Sequence, residues 1–187
     1  MAETLKVYMA RVFSAIDVES KKLVEELGKV QDRIDLGFSP VKKDKMHITL
    51  EFFQDIGKKE IDELKATMDK VEADSFTAEV SGVGCFPSTE HIRVVWSGLD
   101  QEEKFQRLYS QLSDHKIASD NKHEFKPHIT LMRVRDIDRD EKKKLRRTLR
   151  EFKNHRFGEL EVKKVKLFRS DLQQGDSRYE ELYSREL

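Results

Sequence analysis

The sequence predicts an α+β fold: a duplicated unit with mostly antiparallel sheets, its two lobes facing each other across a central cleft about a pseudo-two-fold axis. Three observations predict it. The tetrapeptide His47-Ile48-Thr49-Leu50 returns 81 residues later as His128-Ile129-Thr130-Leu131. Segments that alternate with period two take turns along the chain with segments whose apolar residues recur at helical spacing. The order of those segments restarts near mid-chain, so that each half carries one copy of the tetrapeptide. At 187 residues the halves are expected to form a single domain, residues 1–187, whose two lobes share the cleft.

Each element follows from its own pattern. Residues 8–16 read as an apolar strand after a short leader, 1–7. Leu23, Val24, Leu27 and Val30 mark a helix over 18–34. A loop with Gly37 and Pro40 and the basic residues Lys42, Lys43 and Lys45 lead into a strand over 46–53. Ile61, Leu64, Met68 and Val71 form one stripe of a helix over 57–73. Residues 76–83 read as a strand, Gly84 to Thr89 with Pro87 as a turn, and 91–98 as the next strand, with Trp96 assigned to the core. Phe105, Leu108 and Leu112 face inward from a helix over 100–117. A polar loop, Ser119 to Glu124, precedes Pro127, which opens a strand over 127–134, a position that tolerates proline. A basic helix over 138–153 and two closing strands, 158–170 and 178–186, joined by a loop with Gly175, complete the chain.

The repeated tetrapeptide carries the chemistry. In a strand, residues i and i+2 share a face. His47 and Thr49 therefore look one way while Ile48 and Leu50 bury, and His128 and Thr130 repeat the arrangement. A lone His-x-Thr strand is ordinarily only sheet. Two identical copies, one per half, bring two imidazoles and two hydroxyls to one cleft. Imidazole exchanges protons near neutral pH, so opposed histidines can activate a nucleophile and protonate a leaving oxygen. Threonine hydroxyls can donate to the non-bridging oxygens of a phosphate. Arg133, three residues after Thr130, adds a guanidinium fork suited to a phosphoryl group. Strict alternation points it away from Thr130, so a bend in the strand is required.

Composition bounds the rest. Lys plus Arg and Asp plus Glu number 36 each, so no global basic field draws in a polyanion, and any RNA contact is local. The only cysteine, Cys85, excludes an intrachain disulfide, suits a reducing cytoplasm, and reads as a small hydrophobe without a neighbouring base. No apolar run spans a bilayer, so no membrane contact is expected. Two histidines without carboxylate or thiolate co-ligands make a poor metal site, so neither metal nor cofactor is expected. His91, His115, His123 and His155 lack a threonine partner and read as surface or structural, with His123 nearest the cleft rim. The run from Lys142 to Arg147 reads as a solvated helix face balanced by Asp136, Asp138, Asp140 and Glu141, with contact to RNA phosphates as the lesser alternative. Phe52, Phe53 and Phe125 flank the motifs as core or as base-stacking groups.

With these residues in view, the chain resembles the two-histidine phosphoesterase superfamily, and within it the 2′-5′ RNA ligase-like branch, the RNA 2′,3′-cyclic phosphodiesterases of bacteria and archaea. The resemblance runs through Arg11 to Ile16, His47 to Phe52, Gly84-Cys85-Phe86-Pro87, Arg93 to Gly98, Pro127 to Leu131 with Arg133, and Ser170, Leu172, Gly175 and Tyr179. The chain departs from that pattern at residues 1–8, at Phe53-Gln54 and at Met132. The resemblance implies a bilobal fold and metal-independent hydrolysis of RNA 2′,3′-cyclic phosphate ends to 2′-phosphates, with 2′-5′ RNA ligase activity as related chemistry. The expected catalytic pair is His47 and His128, with the acid and base roles open. Thr49, Thr130 and Arg133 are the expected substrate-binding groups. The expected partners are RNA or nucleotides with a 2′,3′-cyclic phosphate, met by a monomer. The competing reading is a non-catalytic RNA or nucleotide phosphate-binding module. A zinc protein stands third.

Overall fold

The computed structural model describes residues 9–34, 39–121, 124–173 and 176–187, with the side chains of 172, 173, 176 and 177 also left aside. The 1–7 leader, Gly37, His123 and Gly175 lie outside these residues. The strands are β1 (Ala10–Asp17), β2 (Ser39–Pro40), β3 (His47–Ile56), β4 (Phe76–Pro87), β5 (Ile92–Leu99), β6 (His128–Arg133), β7 (Arg156–Val162), β8 (Lys164–Gln173) and β9 (Asp176–Glu186). The helices are α1 (Lys21–Arg33), α2 (Lys58–Asp69), α3 (Glu102–Leu112) and α4 (Arg139–Glu151).

The strands form two sheets, ordered β3-β1-β8-β9 and β2-β6-β5-β4-β7, with every pairing antiparallel. The fold class agrees with the sequence reading, as does the helical patterning. Leu23, Val24, Leu27 and Val30 of α1, Ile61, Leu64 and Met68 of α2 with Val71 just beyond it, and Phe105, Leu108 and Leu112 of α3 are all buried. Local chemistry fixes the helix starts: the Ser20 hydroxyl accepts from the Leu23 N–H, and Asp138 with Glu141 closes a capping box on α4.

Among the boundaries that differ from the sequence reading, three have a clear physical reason. The stretch Gly84–Pro87, read as a turn, continues β4, and the hairpin turns after Pro87. Its pairing with β5 supplies the ladder that Gly84 and Pro87 hide at the level of propensity. The helix predicted over 100–117 ends at Leu112, the last residue of its buried stripe. The single strand predicted over 158–170 is two strands in different sheets. The inward positions run Leu160, Val162, then Val165, Leu167, so the period-two phase slips at Lys163–Lys164, where the chain leaves one sheet for the other.

The halves exchange elements. β8 and β9 come from the second half but extend the sheet of β1 and β3, while α1, from the first half, packs on β6 and β7. One apolar cluster, running from Val12 and Leu27 to Leu145 and Leu167, holds the molecule together. A second, smaller cluster, Phe13, Ala15 and Phe168 with Phe52 and Tyr179 packed on it, lies on the other face of the first sheet.

Candidate active site

β3 and β6 lie against each other, and the registers of both strands break at the same point of their motifs. On β3, Asp17 faces His47, Ala15 faces Thr49 and Phe13 faces Phe52, so Leu50 and Glu51 span one step of β1. On β6, Gly98 faces His128, Trp96 faces Thr130 and Val94 faces Arg133, so Leu131 and Met132 span one step of β5. Each is a β-bulge, two residues opposing one. Both bulge residues turn inward in each case: Leu50 and Glu51 are 1% and 3% exposed, Leu131 and Met132 0% and 1%. The residue five places after each histidine consequently returns to the histidine's face. Arg133 joins His128 and Thr130 through this bulge, which is the bend that strict alternation required. Its counterpart on β3 is Phe52.

Each bulge carries a carbonyl turned out of the ladder, and each finds a carboxamide. Asn121 Nδ2 donates to Leu50 O at 2.9 Å, and Gln31 Nε2 donates to Leu131 O at 2.6 Å. The open edge beside each motif strand is covered as well: the Asp120 N–H donates to Phe52 O, and the Val41 N–H to Leu131 O.

The histidines are held alike. His47 Nδ1 donates to Lys45 O and His128 Nδ1 to Lys126 O, both at 2.7 Å. A carbonyl can only accept, so Nδ1 carries the proton and Nε2 is left with its lone pair. The ammonium of each of these lysines lies over an aromatic ring beside the histidine, Lys45 over Tyr179 at 5.8 Å and Lys126 over Trp96 at 4.9 Å. The His47 ring also contacts Phe13 (5.1 Å) and Tyr179 (5.7 Å), and the His128 ring contacts Phe86 (5.1 Å) and Trp96 (6.2 Å).

Burial pushes both imidazoles below the ordinary histidine value. For His47 the Lys45 carbonyl and the Asp17 carboxylate oppose that shift, while Arg133 and His128 add to it. For His128 the Lys126 carbonyl opposes it, and the cations Lys126 and Arg133 add to it. A carboxylate thus favours the charged form of His47 alone.

His47, Thr49, Thr130 and Arg133 line one cleft of about 400 Å³ together with Arg11, Phe13, Lys45, Phe52, Ser170 and Tyr179. His128 is half-buried on the same face of β6 as Thr130. The sequence reading missed the role of Arg11. It leads down β1 to the cleft face, its guanidinium lies 5.2 Å over the Phe52 ring, and its buried Nε has no hydrogen-bond partner among the described residues. Period two from Phe13 back to Arg11 was the available signal.

Trp96 corrects an expectation. It is half-buried rather than core, because it pairs with Thr130 on the cleft face. Its indole crosses β4 over Gly84, where a Cβ would stand 2.4 Å from a ring carbon. Phe52 and Phe53, adjacent in sequence, part company: Phe53 is fully buried and Phe52 faces the cleft. His115 is buried against Glu51, donating from Nε2 at 3.1 Å while its Nδ1 accepts from the Ile117 N–H, which makes it a structural support behind the first bulge. His91 and His155 are exposed. Cys85 is half-buried, and burial followed by Glu90 pushes its thiol pKa up, away from nucleophilic character. Among the described residues no three His, Cys, Asp or Glu side chains gather closely enough to hold a metal ion, and no helix is long and apolar enough to cross a membrane.

Fold and cleft together define a two-histidine phosphoesterase. The sequence model of the LigT-like phosphoesterase family matches the chain twice in succession, over residues 16–96 and 98–179, one match per half. The RNA 2′,3′-cyclic phosphodiesterase of Methanocaldococcus jannaschii is 31% identical over 174 residues, 91% of this chain and 96% of that protein. That of Archaeoglobus fulgidus is 28% identical over 170 residues, 87% and 92% of the two chains. The crystal structure of TT0787 of Thermus thermophilus superposes with a TM-score of 0.73 at 26% identity, covering 95% of this chain and 97% of that one. E. coli LigT complexed with 3′-AMP shares the fold, with a TM-score of 0.73 at 23% identity over 96% and 98% of the chains. The chain belongs to the LigT-like phosphoesterase family.

Proposed function

We propose that this phosphoesterase hydrolyses the 2′,3′-cyclic phosphate at RNA ends to a 2′-phosphate, by acid–base catalysis between His128 and His47 and without a metal. The observation that carries the reading is the pair of bulged His-x-Thr strands, each with its histidine held by Nδ1 so that Nε2 remains for proton transfer. The curated relatives in Methanocaldococcus and Archaeoglobus, named for this activity, support the substrate class.

His128 takes the proton of a water that attacks phosphorus. The P–O3′ bond breaks, His47 gives its proton to O3′, and the product is a 2′-phosphomonoester beside a free 3′-hydroxyl. Burial disfavours the charged form of both histidines and Arg133 acts on both, so the roles are assigned on the one difference, the Asp17 carboxylate that favours charged His47 and has no counterpart at His128. The Thr49 and Thr130 hydroxyls and the Arg133 fork hold the non-bridging oxygens, where negative charge grows in the transition state. Arg11, stacked on Phe52, supplies a second guanidinium beside the phosphate. An RNA 5′-hydroxyl in place of water would form a 2′-5′ linkage through the same two proton transfers. The proposal places the activity in one two-lobed, monomeric domain in the cytoplasm, in keeping with its single thiol.

The test is incubation with EDTA and an RNA oligonucleotide ending in a 2′,3′-cyclic phosphate. The wild type should release a 2′-phosphate end, and His47→Ala and His128→Ala should each lose about 10²- to 10⁴-fold in rate. Full activity in either variant removes that histidine from the mechanism. A folded wild type that binds the oligonucleotide and leaves it unchanged returns the protein to the binding-module reading.

A further inference from the structure

Behind Trp96 a second, broader groove of about 780 Å³ opens between β4 and α4. Its floor is Gly84, Cys85 and the indole of Trp96, and its wall is one face of α4. Lys143, Arg146 and Arg150 recur there at helical spacing, with Lys153 just past the helix end. From Lys143 to Arg150 this cationic ridge rises about 10 Å along the helix axis.

The ridge keeps a surplus of positive charge after its local pairs are counted. Arg146 is engaged, donating to Thr89 O at 2.8 Å and pairing with Glu90 at 3.3 Å, which ties the β4–β5 turn to the helix. Lys143 pairs with Asp140 at 3.1 Å. Arg150 and Lys153 have no acidic partner among the described residues. The structure thereby divides the basic run of α4 that the sequence presents as one solvated face: Leu145 enters the core, while Lys143 and Arg146 turn to the groove.

One side chain links the groove to the second His-x-Thr strand. Trp96 lines the groove, yet its backbone pairs with Thr130 and its ring lies 6.2 Å from that of His128. The indole is covered by Gly84 on one face and by the Lys126 ammonium on the other, so what the groove offers a single strand is its row of cations, which suit the phosphates. A mononucleotide in the cleft would leave α4 untouched, whereas a chain leaving the cleft past His128 would meet it.

We propose that the groove between α4 and β4 binds the phosphodiester backbone of single-stranded RNA upstream of the reacting end, so that the enzyme prefers an oligonucleotide to a nucleoside cyclic phosphate. The proposal rests on the phosphodiesterase reading above.

The test uses the full-length double variant Arg150→Ala/Lys153→Ala, which removes two exposed cations and no buried contact. Two substrates are compared, a nucleoside 2′,3′-cyclic phosphate and an eight-nucleotide RNA with the same end. The variant should match the wild type on the nucleoside and show a raised KM on the oligonucleotide. Its oligonucleotide binding, followed by fluorescence anisotropy, should have a log–log salt slope shallower by about 1.4, at roughly 0.7 per phosphate neutralised on a single strand. An unchanged KM and salt slope for the oligonucleotide overturns the groove and leaves the phosphodiesterase reading standing. If the wild type hydrolyses neither substrate but the variant's salt slope falls, the groove stands and the hydrolytic reading falls.

Discussion

Under the proposed mechanism, protonation of His47 and His128 sets the pH behaviour. Burial lowers both histidines from the ordinary value of 6.5. A free-enzyme base must be neutral and a free-enzyme acid must be protonated, so kcat/KM should rise through the pKa of His128 and fall through that of His47. With both lowered, the top of the bell lies below pH 6.5, and kcat/KM at pH 8 is well down one limb. A bound phosphate raises both values, so the kcat profile should sit to the alkaline side of the kcat/KM profile. Stability behaves differently from kcat/KM on the alkaline side: the unfolded chain binds protons that the folded histidines refuse, so this contribution is complete above about 6.5 and fades as pH falls below it. Steady-state profiles in a constant-ionic-strength buffer series check the claim, and a kcat/KM optimum at pH 8 or above contradicts it. At this scale the sequence was most legible where the motif is written twice. It was least legible at Arg11 and Trp96, whose environments depend on a neighbouring strand and on a glycine of the paired strand.

Among the elements, the paired bulges decide what the cleft contains. Period two assigns Arg133 to the wrong face and Phe52 to the core. Pairing restores both, because a bulge is a property of two strands and one strand's pattern does not contain it. The phase slip at Lys163–Lys164 is the converse, a break visible in the sequence that marks a change of sheet. Each bulge exposes a carbonyl that needs a donor, and for Leu50 O the donor is Asn121 Nδ2. Asn121→Ala should therefore cost about 1–3 kcal/mol, the penalty for a buried acceptor left without a partner. The same change should loosen the register that holds Thr49 and Phe52 on one face. Urea denaturation should show a lower midpoint at an unchanged m-value, together with a raised KM for the cyclic-phosphate substrate. A midpoint within error of the wild type would mean that the bulge holds without its carboxamide.

Over the whole molecule, the two family matches divide the chain into halves that the fold does not respect. Residues 16–96 and 98–179 each match the family model, yet the first sheet is completed by β8 and β9 from the second half, and α1 covers the sheet of the second half. β1 lies between β3 and β8, so a fragment ending after β5 would present the open edge of β1 and the apolar face of α1 to water. The two halves are therefore expected to fold as one cooperative unit, with the spacing of His47 from His128 depending on both being present. A chain cut after Leu99, the end of β5, should give two fragments that each lack a cooperative thermal transition by circular dichroism. Refolded together, the fragments should recover one transition, because each supplies the surface the other leaves bare. A sharp independent melt of the first fragment would instead show that the repeat folds alone, with the shared cleft then formed by docking of finished lobes.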